Sequence, residues 1–157
     1  MSYVSRTLGS KEKVLFLTGY HWLYWLGVSI VTLPLIVVAL GALPYDGLDY
    51  LYLALTVVPF VYGLYYFVHG IALEVAVTTD RFVKKTGLIS ITSEEVSLDK
   101  IEEVNVAETI LGRIFGYGNV DVHGTGAGAI HVKMVTDPVR LRREIQTARE
   151  QLRSKGE

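Results

Sequence analysis

Two kinds of hydrophobic pattern divide the chain. No Asp, Glu, Lys or Arg occurs from Val14 to Leu43, and none occurs from Tyr50 to Gly70. Trp22–Leu43 is an uncharged run of 22 residues. As a helix such a run rises roughly 33 Å, enough for a hydrocarbon core of about 30 Å. Tyr50–Val68 is a second run, slightly shorter and also sufficient. Each holds one proline, Pro34 and Pro59, which a helix in lipid tolerates as a kink because neighbouring groups satisfy the freed carbonyl. The link Pro44–Asp49 leaves room only for a tight hairpin. The pattern predicts an N-terminal segment over 1–21, then a transmembrane hairpin over 22–68 with helices at 22–43 and 50–68.

From Ile71 onward the period changes to two. Leu73, Val75 and Val77 alternate, Thr78–Arg81 reads as a turn, and Phe82 and Val83 open a second strand closed by Thr86-Gly87. Ile89 and Ile91 point one way in a third strand, and Val96 and Leu98 continue after the polar break Thr92–Glu95. Further strands carry Ile101, Val104 and Val106, then Val120 and Val122, then Ile130, Val132 and Met134. Asp137 is a natural helix N-cap and Pro138 suits the first helical position. Leu141, Ile145, Ala148 and Leu152 then share one helix face. Residues 71–154 therefore predict about seven short strands in a small roll or barrel closed by a C-terminal amphipathic helix, which makes the chain an α+β membrane protein.

Charge orients the hairpin. The link carries Asp46 and Asp49 and no base. Arg6, Lys11 and Lys13 precede the first run, and Arg81, Lys84 and Lys85 follow the second. The positive-inside rule puts both termini in the cytoplasm and the link outside, as a multi-pass protein of the inner or plasma membrane. Aromatic residues agree: Tyr20, Trp22, Tyr24 and Trp25 would meet Tyr62, Tyr65, Tyr66 and Phe67 at the inner interface. A cleaved signal ending at Ala39-Leu40-Gly41 fits less well, because a second apolar run follows at once. Buried helices of a soluble protein seldom run so far without charge.

Composition removes several function classes. The net charge of −1 gives no support for nucleic-acid binding, and the absence of cysteine excludes disulfides, thiolate metal sites and thiol nucleophiles. Gly124–Gly128 joins two strands, whereas a nucleotide loop follows a strand and opens a helix, so a hairpin tip is the better reading. His21, His69, His123 and His131 show no metal-ligand spacing, although His21 and His69 would both sit near the inner interface. Glu94, Glu95, Glu102 and Glu103 read as a solvated face with no base or nucleophile partner. The reading is of a protein without enzymatic activity, cofactor or metal.

The run Ile110-Leu111-Gly112-Arg113-Ile114-Phe115-Gly116-Tyr117-Gly118-Asn119-Val120 resembles the signature of the bacterial PH-like membrane-flanked domain proteins of the YdbS-like type. Val77–Arg81, Val96–Ile101 and Thr136–Pro138 resemble the family's strand-turn after the membrane helix, its L-D-K-I strand and its entry to the last helix. Lys11–Val14 followed by His21-Trp22 is similar to its lead-in to the first span. The resemblance implies a pleckstrin-homology-like barrel of seven strands and a helix, and no known activity. Within the signature, Gly112, Gly116 and Gly118 read first as backbone devices, while Arg113 could present a charge to a partner or a phosphate.

Two functional expectations follow. One is a membrane-anchored scaffold, an accessory or assembly subunit whose partner is another integral membrane protein or a second copy, with Arg113 and Gly126 as candidate contacts. The other is a sensor of anionic lipid headgroups in the inner leaflet using Arg81, Lys84 and Lys85, since each basic group near such a surface contributes about 1 kcal/mol.

Overall fold

A computed structural model describes residues 3–10, 12–41, 49–126 and 128–156. Lys11 and the link residues Pro44–Leu48, Asp46 among them, lie outside the described residues. The chain divides into two units: residues 1–21 with 72–157, and Trp22–Ile71.

The helical unit holds α2 (Trp22–Gly41) and α3 (Asp49–Ile71), with Pro34 and Pro59 inside them. The two helices run antiparallel. At the start of α2, the Tyr24 hydroxyl donates to the Tyr66 carbonyl near the end of α3 (3.1 Å), and the Trp25 and Phe67 rings lie 5.4 Å apart. Two glycines permit the approach: a Cβ on Gly70 would meet Trp25 at 2.5 Å, and one on Gly63 would meet Thr32 at 3.2 Å. The structure thus brings together Tyr24, Trp25, Tyr66 and Phe67 as the sequence predicts. The expectation of two full membrane spans is not supported. Among the described residues, Leu53–Ile71 is long and apolar enough to cross a membrane, whereas the apolar stretch of α2, Trp22–Val38, is shorter.

The second unit begins before the helices. After α1 (Tyr3–Thr7) comes β1 (Val14–Thr18), which pairs antiparallel with β2 (Glu74–Thr78), beyond the helical unit. β3 (Arg81–Thr86) and β4 (Thr92–Ser97) complete a four-stranded sheet in the order β1-β2-β3-β4. A 3-10 turn (Leu98–Lys100) leads to β5 (Ile101–Ala107), the short helix α4 (Ile110–Phe115), β6 (Tyr117–Gly124) and β7 (Ala129–Thr136), and β5-β6-β7 form the second sheet. A bridge between Tyr20 and Val135 links the two sheets. α5 (Pro138–Gly156) follows, with the Asp137 carboxylate accepting from the Arg140 amide at 3.1 Å as its cap.

Alternation decides what the sheets bury. Val75, Val77 and Phe82 from the first sheet and Val120, Val122 and Val132 from the second meet Leu98, Leu141, Ile145 and Ala148 in one core. The opposite face of β2 and β3 presents Ala76 and Val83, which Val4 and Leu8 cover.

Two sequence expectations change here. The first 21 residues are not a separate segment, because they supply strand β1. The uncharged run starting at Val14 conceals it, since a fully apolar stretch carries no alternation to separate a strand from the helix that follows. Seven strands are present among the described residues, but the one expected around Ile89 and Ile91 is instead the tip of the β3–β4 hairpin, between the paired Thr86 and Thr92. Gly87, at φ +82°, forces the reversal, and a Cβ there would meet the Ser90 carbonyl oxygen.

Truncating Ile145 to alanine removes a fully buried side chain from this core. It is expected to lower unfolding stability by about 2–5 kcal/mol, while Val139→Ala on the exposed side of α5 changes it by less than about 0.5 kcal/mol. Denaturant unfolding followed by near-ultraviolet circular dichroism measures both.

Candidate functional site

The strand registers give the β unit two distinct ends. Thr18 faces Val75, Glu74 faces Lys85, and Thr86 faces Thr92. The end of β1, the start of β2 and the β3–β4 tip are therefore on one side. β1 continues to His21, whose amide donates to the Met134 carbonyl (2.9 Å) and whose ring lies 5.5 Å from that of Tyr117. Tyr117 directly follows α4, and the Gly116 carbonyl accepts from the Asp137 amide at 2.9 Å. Both chain crossings to the helical unit, at His21–Trp22 and Ile71–Ala72, leave from this end. The β2–β3 turn, the 3-10 turn and the β6–β7 loop lie at the other, where the Thr125 amide donates to the Lys100 carbonyl at 2.9 Å.

Arg81, Lys84 and Lys85 do not form a common basic patch. Arg81 sits at the far end, as the first residue of β3, and holds the N-terminal segment. Its guanidinium donates from Nε to Glu12 (2.9 Å), from Nη1 to Glu95 (2.7 Å) and from Nη2 to the Thr7 carbonyl (2.8 Å). The Glu12 side chain is only 4% exposed and also accepts from the Gly9 amide and the Thr78 hydroxyl. Lys84 pairs with Glu94 directly across the β3–β4 ladder. Lys85 is buried beside β2, opposite Glu74. Glu94 and Glu95, read from sequence as a solvated face, are thus the partners of two of these cations. Cross-strand register, which sequence does not display, brings them together.

Arg113 and Gly126 belong to opposite ends. Arg113 is exposed on α4, where the Thr109 hydroxyl caps the helix by accepting from the Gly112 amide (2.9 Å) and Gly116, at φ +76°, ends it. Gly112 is required by close approach, since a Cβ would meet the Tyr117 carbonyl oxygen. The glycine signature is a backbone device here, as its spacing suggests. Gly126 is exposed in the loop between β6 and β7, whose Ala127 lies outside the described residues.

Two surfaces escaped the reading of the sequence. Leu98, Asp99, Gln146, Arg149, Glu150, Leu152 and Arg153 line an open groove of about 880 Å³ between α5 and the 3-10 turn. Its bases and acids alternate, so it carries no single sign of charge. At the other end Leu88, Ile89 and Ile91 are exposed on the β3–β4 tip, Ile89 at 96%. Gly87 and Ser90, which interrupt the alternation around Ile89, were the available signal. Of the histidines, His131 contacts Asp121 at 2.7 Å on the exposed face of the second sheet, and His69 lies against Tyr65. Among the described residues no group of three or more histidines and acids could hold a metal ion.

Burial alone would raise the pKa of Glu12. The hydrogen bonds from Gly9, Thr78 and Arg81, with the charge of Arg81, outweigh it and hold the carboxyl below its ordinary 4.5. Arg81 rises in turn, first through its hydrogen bond to Glu12. A folded carboxyl with a depressed pKa contributes stability above its unfolded value, and that contribution is lost as pH falls through the folded value. Glu12→Gln is expected to cost about 1–3 kcal/mol at neutral pH. The gap between wild type and variant should narrow on acidification below about pH 4.5, in thermal melts run across that range.

The fold can now be set beside known proteins. No curated protein and no solved structure matches the chain. A family model described as "Bacterial PH domain" matches residues 14–152, from the first residue of β1 to the last turns of α5. Two sheets around one core with a closing C-terminal helix are the architecture such a domain requires, and the chain belongs to the bacterial PH domain family.

Proposed function

We propose that this protein is a membrane-anchored, non-enzymatic binding or scaffolding protein, an accessory or assembly subunit of a membrane protein complex. Membership of the bacterial PH domain family supports a binding role for the β unit. The observation that carries the membrane reading is the surface of the helical unit. Packed on one another, α2 and α3 still expose Ile30, Leu33 and Val37 and Leu53, Val58, Phe60 and Val61. Contiguous apolar area on this scale is disfavoured in water and suits a bilayer.

Within the family, the helical excursion between β1 and β2, with the glycine-spaced run on α4, supports the YdbS-like, membrane-flanked type. The basic flanks and acidic link support an inner or plasma membrane location with both termini cytoplasmic. The partner would be another integral membrane protein or a second copy. Tethering in the membrane raises local concentration, so a weak contact suffices. Headgroup sensing through Arg81, Lys84 and Lys85 has less support, because Glu12, Glu95 and Glu94 already neutralise two of these cations and the third is buried.

The absence of native cysteine makes topology directly measurable. In intact cells, a membrane-impermeant maleimide is expected to label Asp46→Cys, and to label Ser154→Cys only after permeabilisation. Alkaline carbonate should leave the protein in the membrane. Extraction by carbonate, or the opposite labelling pattern, would overturn the proposal.

A further inference from the structure

We infer that the end of the β unit nearest its helical crossings seats on the lipid surface through two separate apolar prongs, the β3–β4 tip and α4. The inference rests on the proposed membrane anchoring and adds which face of the domain meets the bilayer, and through which residues.

The first prong is the five-residue tip Gly87–Ile91, whose Leu88, Ile89 and Ile91 project past the last paired residues, Thr86 and Thr92. The second is α4, where Ile110 is 83% exposed, Leu111 58% and Ile114 69%. Side chains of this size on short protruding segments stabilise neither element. Ile89 and Ile114 face outward while Phe82 and Val120, on adjoining strands, fill the core.

Connectivity selects lipid as the occupant. No residue separates His21, in contact with Tyr117, from Trp22, the first of α2. Only Ala72 and Leu73 stand between α3 and β2. Two residues reach at most about 7 Å, so a bilayer that held the helices would begin within that reach of both chain crossings. The two prongs belong to different sheets: α4 joins β5 to β6 of the second, and the tip joins β3 to β4 of the first. A protein groove must match two such protrusions in shape, whereas the headgroup and acyl boundary accepts both in one plane.

Charge agrees with this choice. The tip has no ionisable residue; Glu108 and Asp137 lie beside α4, and Arg113, the single charge on it, can extend its guanidinium to lipid phosphates while its stem stays among apolar groups. The opposite end carries Asp80, Asp99 and Lys100 with the glycine-rich loop, and it has no comparable apolar projection among the described residues.

The test uses the full chain in vesicles of phosphatidylcholine and phosphatidylglycerol. Four single-cysteine variants, Ile89→Cys, Ile114→Cys, Gly126→Cys and Val58→Cys, each carry an environment-sensitive nitrobenzoxadiazole label. Ile89 and Ile114 are exposed, so labelling them leaves the core intact. At both positions the label should be blue-shifted, quenched by lipids bearing a doxyl group near the headgroup, and resistant to dithionite. Gly126 should be reduced by dithionite, and Val58 quenched by deep doxyl groups. If Ile89 or Ile114 behaves like Gly126 while Val58 stays in lipid, the two-pronged seat is wrong and the anchor stands. Protection at either prong from both lipid quencher and dithionite means that protein covers it, which also overturns the inference. Reduction at Val58 removes the anchor itself, and the seat with it.

Discussion

The antiparallel pairing of Val14–Thr18 with Glu74–Thr78 holds together two chain segments that the entire helical unit separates. Neighbouring strands lie about 4.8 Å apart, so this one ladder brings the departure and the return of the chain to a common edge. α2 and α3 run antiparallel, as the pairing of Tyr24 with Tyr66 and of Trp25 with Phe67 shows, and so return the chain to that edge. The same ladder places Val75 and Val77 against Phe82, Leu141 and Ile145, so closing the excursion and forming the core are one event. Closure entropy grows only slowly with the length of the loop closed, and a helical pair with its own internal packing makes the excursion shorter in effect than its residue count.

Around that ladder the N-terminal segment is fastened by charge as much as by apolar contact. Val4 and Leu8 cover Ala76 and Val83, while Arg81 reaches Glu12, Glu95 and the Thr7 carbonyl from one guanidinium. A planar five-donor group suits this task, since it can satisfy two carboxylates and a carbonyl at once. The arrangement removes Arg81 from the inventory of free cations and makes it structural. Lys84 with Glu94 repeats the principle across the next ladder.

Taken together, the two units point to a division of roles along one axis of the β unit. The end next to the chain crossings carries the exposed apolar side chains of the β3–β4 tip and of α4. The far end is polar and carries the glycine-rich loop and the mixed-charge groove beside α5.

Local pattern alone determined a good part of this protein: two uncharged helices, most of the strands, the capped C-terminal helix and the turn at Gly112 to Gly118. All of these follow from period, capping residues and glycine placement, which act within a few residues. The family resemblance was legible for the same reason, because its signature is one continuous run. Only the tertiary structure decided that Val14–Thr18 is a strand of the barrel and that Ile89 tops a hairpin. It also decided that Arg81, Lys84 and Lys85 face three different surroundings and that Arg113 and Gly126 stand at opposite ends. Each of these depends on register between segments distant in sequence. A shift of one residue sends every side chain of a strand to the other face, and nothing in the order of residues along a single strand states which partner it will meet.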